Sequence, residues 1–185
     1  MATKKTARVK KSAAKKGAGA AAGTARAAKR QDTAMRPKTY VSPPISLAEL
    51  EQAFTRADLE FEGVDHSEAS YEARIFLNKP DANEDTPMTE AEGYAGSYHV
   101  FGHGGCFGDV GHCEIRELPR LYDPRPAHPL SPLKKTVIAT EAIRTALAKG
   151  PEVTVTIVPV ITGVTEKCST EAVLKFESLM IVTYL

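Results

Sequence analysis

Tyr71-Glu72-Ala73-Arg74-Ile75-Phe76-Leu77 is the stretch that decides the fold class. Tyr71, Ala73, Ile75 and Leu77 fall on one side of an extended chain and Glu72 and Arg74 on the other. That is the period of two expected of a half-buried strand. Asn78-Lys79-Pro80-Asp81-Ala82-Asn83 follows as a turn, because proline, asparagine and aspartate favour chain reversal.

The same alternation recurs on both sides. Leu59-Glu60-Phe61-Glu62 reads as a short strand, Gly96 to Phe101 as another, and Lys135 to Ala139 as a fourth. Val153, Val155, Ile157 and Pro159 alternate in a fifth, and Leu174 to Tyr184 closes the chain with a sixth. Helical signals are few. Ser46, with Glu49 three positions on, has the pattern of a capping box opening a helix to about Phe54. Thr140 is expected to cap a helix over Glu141–Lys149, stopped by Gly150-Pro151. Pro119, Pro124, Pro126, Pro129 and Pro132 break the intervening crossing too often for regular structure. The expected fold is all-β, a β-sandwich of about six to eight strands with one or two short helices.

The net charge of +1 conceals two unlike halves. Residues 1–40 hold twelve Lys or Arg and one acid, Asp32, for a net +11; the rest holds twelve bases and twenty-two acids, for a net −10. Before Tyr40 there is almost no large apolar side chain. Such a segment buries too little surface to offset the entropy of ordering, so residues 1–42 are expected to form a disordered basic tail and linker ahead of a domain over 43–185. Lys4, Lys5, Lys10, Lys11, Lys15 and Lys16 come in pairs suited to a polyanion through counterion release. The tail therefore has three readings: a spacer, a nucleic-acid or membrane-surface contact, and a segment folding back onto the acidic domain. Gly17 to Ala22 is too weakly apolar to serve as the core of a signal peptide, and no run reaches transmembrane length. The expected location is cytoplasmic, where thiols stay reduced.

Tyr98-His99-Val100-Phe101-Gly102-His103-Gly104-Gly105-Cys106-Phe107-Gly108-Asp109-Val110-Gly111-His112-Cys113 carries the chemistry. It holds three of the five histidines and two of the three cysteines. Thiolate and imidazole are preferred donors for copper(I) and zinc. The candidate ligands are His103, Cys106, His112 and Cys113, with His99 on the same side of an extended strand as His103 and Asp109 placed to accept from a ligand histidine. The spacing is not the paired C-x2-C of a zinc finger. The competing reading is a glycine-rich hairpin with packed or disulfide-bonded cysteines, and Asp109 serving only the turn. His66, His128 and Cys168 are expected to stand in solvent-facing or polar loops. There is no G-x-S-x-G elbow and no phosphate-binding glycine loop. Asp58, Glu60, Glu62 and Asp65 read as a solvated face.

From about Leu59 to Tyr184 the chain resembles the C-terminal domain that follows the catalytic core in many bacterial tyrosinases and related polyphenol oxidases. The resemblance rests on Leu59 to Val64 with His66, on Ser70 to Leu77 and on Tyr94 to Tyr98. Its specific part is Phe101-Gly102-His103-Gly104-Gly105-Cys106-Phe107-Gly108 with Gly111-His112-Cys113, and it continues through Val153-Thr154-Val155 and Leu174 to Tyr184. It implies a β-sandwich that covers a dicopper core, keeps it latent and helps load copper through cysteine and histidine. The core itself binds its copper pair with six histidines on a helical bundle; this chain has five histidines in all. The resemblance thus implies a non-catalytic copper module, with copper(I) favoured and zinc possible, acting on a tyrosinase-like enzyme in trans. The alternative is a metal-free interaction domain tethered by its basic tail.

Overall fold

The computed structural model describes residues 4–10, 37–48, 50, 53–103, 131–161 and 173–185. Among these described residues, ten strands, one α-helix and a single 3-10 turn at Glu90–Glu92 make up the regular structure. The strands are β1 (Lys4–Lys10), β2 (Tyr40–Val41), β3 (Ile45–Ser46), β4 (Arg56–Val64), β5 (Tyr71–Leu77), β6 (Tyr94–Val100), β7 (Leu133–Ile138), β8 (Glu152–Val153), β9 (Val155–Ile161) and β10 (Ser178–Tyr184). Helix α1 spans Thr140–Lys149. Two four-stranded antiparallel sheets, ordered β1-β10-β4-β7 and β2-β9-β5-β6, face each other, and β3 pairs with β8 in a small third sheet. This is the all-β sandwich expected, with more strands than expected because three of them are two-residue pieces.

The alternation in β5 fixes which face packs. Tyr71, Ala73, Ile75 and Leu77 are buried to between 0 and 5 % exposure and join Leu59, Phe61, Leu179 and Ile181 of the opposing sheet in one core. Phe61 meets Tyr98 at 4.8 Å and Phe176 at 5.8 Å between ring centroids, and Phe176 meets Tyr40 at 5.1 Å. The outer face of β5 is polar at Glu72 and Arg74, but Phe76 is covered by Ala82 of the turn after it together with Val158 of β9 and Tyr94 of β6. That turn opens at Asn78, whose φ of 55° is the left-handed conformation asparagine tolerates. Helix α1 packs on β4, β5, β6 and β8 through Ile143 and Ala146.

Several expectations are corrected. The helix from Ser46 to Phe54 does not form among its described residues, since Ile45-Ser46 pairs with Val153-Glu152. Leu47, Leu50 and Phe54 have helix-like spacing, yet all three reach the core from irregular backbone. Thr140 does not cap α1: Ala139 holds that position, and the Thr140 hydroxyl accepts from the Ala57 amide at 3.1 Å. Asp58 and Glu60 are not solvated. They are 1 % and 4 % exposed. Arg56 donates to both oxygens of Asp58 at 2.8 Å, and Lys134 to Glu60 at 2.8 Å. Burial of a carboxylate requires such partners.

Lys4–Lys10 pairs along all of β10, and Tyr40–Val41 pairs with β9. Residues 11–36 lie outside the described residues. No helix among the described residues is long and apolar enough to cross a membrane.

Candidate functional site

Strand β6 ends at buried Val100, and the chain then emerges. Phe101 is 82 % exposed. Gly102 lies against the segment Glu68-Ala69, and its amide donates to the Ser70 hydroxyl at 3.0 Å. The His103 amide donates to the His66 carbonyl at 2.9 Å, and the two imidazole rings sit 5.1 Å apart, inclined at 64°.

His66 also grips the other side. Its Nε2 lies 3.0 Å from the Ser131 carbonyl oxygen. A carbonyl only accepts, so Nε2 carries the hydrogen and the neutral ring keeps its lone pair on Nδ1. His103 and Ser131 flank residues 104–130, the segment with Cys106, Asp109, His112 and Cys113. One histidine therefore holds both residues that flank this segment, through its backbone oxygen and its ring.

Its own turn is braced. Asp65 Oδ1 accepts from the Ser67 amide at 2.9 Å, and Lys175 Nζ lies 3.2 Å from Asp65 and 3.5 Å from Glu68. Burial alone would raise the Asp65 carboxyl, but the Ser67 and Lys175 hydrogen bonds outweigh it and hold it below its ordinary range. Behind the clasp, Tyr71 and Tyr98 stand with ring centroids 6.5 Å apart. Neither hydroxyl has a hydrogen-bond partner of standard geometry among the described residues. Burial pushes the Tyr71 phenol up to about 12, and the Asp65 charge adds to the rise. Tyr98 is also raised, first by burial and then by Tyr71.

Those raised phenols predict an alkaline weakness. A phenol ionises near 10 in the unfolded chain and near 12 at Tyr71 in the folded one, so its contribution is complete below pH 10 and is lost as pH rises towards 12. In urea titrations across that window, Tyr71→Phe is expected to flatten the fall in stability by about 1.4 kcal/mol per pH unit. An unchanged slope would assign the alkaline loss to other groups.

The expected site residues divide into four sets. His103 is at the clasp. His99 is exposed on the outer face of β6, in register with Glu72 and close enough for its charge to help lower that carboxyl. The Glu72 carboxyl sits below its ordinary range despite burial, chiefly through Arg74 and Ser97. Cys106, Asp109, His112 and Cys113 lie outside the described residues, as do Lys11, Lys15, Lys16, His128 and Cys168. Lys4, Lys5 and Lys10 lie in β1. Among the described residues no three His, Cys, Asp or Glu side chains group so as to hold a metal ion. No local pattern in the sequence marks His66 for this position, since its partners are 37 and 65 positions away. Against known proteins, the chain matches no family model, no curated protein and no solved structure.

Proposed function

We propose that this chain is a non-catalytic copper module of the tyrosinase C-terminal kind, which shields or loads a separately encoded tyrosinase-like core. The observation that carries the proposal is the clasp: His66 joins the two ends of the segment holding Cys106, His112 and Cys113, with the His103 ring alongside. Two thiolates and nearby imidazoles are a donor set suited to copper(I), and the low coordination that thiolates permit suits an ion held as cargo. Cys106 and Cys113 would hold the ion with His103 and His112. His66, whose Nδ1 takes no part in the bond to Ser131, is a further candidate donor. Phe101, exposed next to the clasp, offers an apolar contact to the partner enzyme.

The test is copper stoichiometry under anaerobic conditions. Wild type is expected to retain one copper(I) per chain against a competing chelator, and Cys106→Ser/Cys113→Ser to lose it. Equal retention by both would overturn the proposal. Preferential retention of zinc would keep the ligand set and discard the copper cargo. A disulfide between the two cysteines in protein purified without oxygen would favour the metal-free interaction domain.

A further inference from the structure

Strand β1 covers an edge that needs covering. It pairs with β10 in unbroken antiparallel register from Lys4 opposite Tyr184 to Lys10 opposite Ser178. Without it β10 would be the sheet margin, seven residues, Ser-Leu-Met-Ile-Val-Thr-Tyr, with no charge and no proline. An uncharged edge of that length is a template for pairing with another chain. The cover is Lys-Lys-Thr-Ala-Arg-Val-Lys, four of whose seven residues are basic.

Nothing in the connectivity reserves this cover for its own molecule. No hairpin joins β1 to β10. From β1 the chain runs through residues 11–39 to β2 in the other sheet. Twenty-nine residues allow a maximum span of about 100 Å, against a radius of gyration of about 15 Å for a domain of this size. The β10 edge of a touching copy is within that covalent limit. Charge favours the encounter, because the +11 of residues 1–40 meets the −10 of a neighbour as readily as that of its own globule. In register, Arg8 stands in line with Met180 and Glu60, and Lys10 with Ser178 and Glu62, whichever copy supplies the strand.

We propose that the β10 edge is an interface between copies of this chain. Lys4–Lys10 of one molecule seats on Ser178–Tyr184 of a second, and the reciprocal exchange closes a two-fold dimer with both edges covered. Pairing within one chain competes through an effective concentration on the order of millimolar, so the exchanged dimer grows with protein concentration.

Disulfide trapping tests this in a chain carrying Cys106→Ser, Cys113→Ser and Cys168→Ser. Chains with Arg8→Cys alone and Met180→Cys alone are mixed and oxidised gently, and a second mixture uses Lys5→Cys and Thr183→Cys. Adjacent register positions alternate between wide and close pairs, so one mixture has the geometry to cross-link. The expected product is a covalent heterodimer whose yield rises roughly tenfold from tens of micromolar to millimolar protein. Adding Thr6→Pro/Ala7→Pro to the donor should abolish it, because successive amides point to opposite edges of a strand and two consecutive prolines remove one from each, including the edge that faces β10. A heterodimer that survives the prolines, or none in either mixture, overturns the proposal. Should the triple serine chain not fold, light scattering on the natural sequence serves instead: mass should rise from monomer towards dimer between tens of micromolar and millimolar protein. A mass that stays monomeric throughout that range overturns the exchange.

Discussion

Gly102→Ala is expected to lower stability by about 3 kcal/mol and to open the clasp on residues 104–130. A Cβ at this position would stand 1.9 Å from the Glu68 carbonyl oxygen and 2.5 Å from the Ala69 carbonyl carbon. Both are backbone atoms, so no side-chain rotation relieves the clash. The Glu68-Ala69 segment is held between the Lys175 ion pairs and buried Tyr71, and it has little room to retreat. The chain must therefore move on the β6 side, breaking the bond from the Gly102 amide to Ser70 and the bond from the His103 amide to His66. Thermal unfolding would give the first part of the effect. The second is read by amide exchange at His103, which should speed up well beyond the global change. A variant with wild-type stability would show that this seam yields more easily than its geometry implies.

Phe61→Ala is expected to cost about 4 kcal/mol, a large fraction of the 5–15 kcal/mol that holds a domain together. Phe61 is fully buried at the centre of β4. Its ring touches Tyr98 from the facing sheet and Phe176 from the segment before β10, and Phe176 carries the contact on to Tyr40. Truncation removes the central member of this row and leaves a cavity between two sheets whose hydrogen bonding keeps them from closing in. Phe61→Leu should cost less than half as much, since most of the volume stays. Chemical denaturation of the three chains checks the order; equal costs for Ala and Leu would mean that ring contacts, not volume, dominate here.

Local chemistry was legible where one face of an element met the core and the other met water. The β5 alternation named its four inward residues from the chain alone, and Val153, Val155 and Ile157 did the same for β8 and β9. The reading failed where a short segment had two satisfactory conformations. Ser46 to Phe54 has a capping pattern and helix-like apolar spacing, but Val153 offers Ile45 a strand partner, and the pairing decides the backbone. Asp58 and Glu60 look solvated because alternation marks only which side they take. Arg56 then pairs with Asp58 and Lys134 with Glu60, and β4 is an inner strand between β10 and β7.

Alternating side chains and turn residues in the chain alone thus pointed to a β-sandwich, and the clustering of cysteine and histidine marked one stretch as its candidate chemistry. The tertiary structure decided what meets across long separations. It set His66 against both flanks of residues 104–130 and laid Lys4–Lys10 along β10. The physical reason is range. Periodicity reports the environment of each side chain, polar or apolar, whereas a clasp or an edge pairing depends on which distant backbone groups share one place after the core has closed.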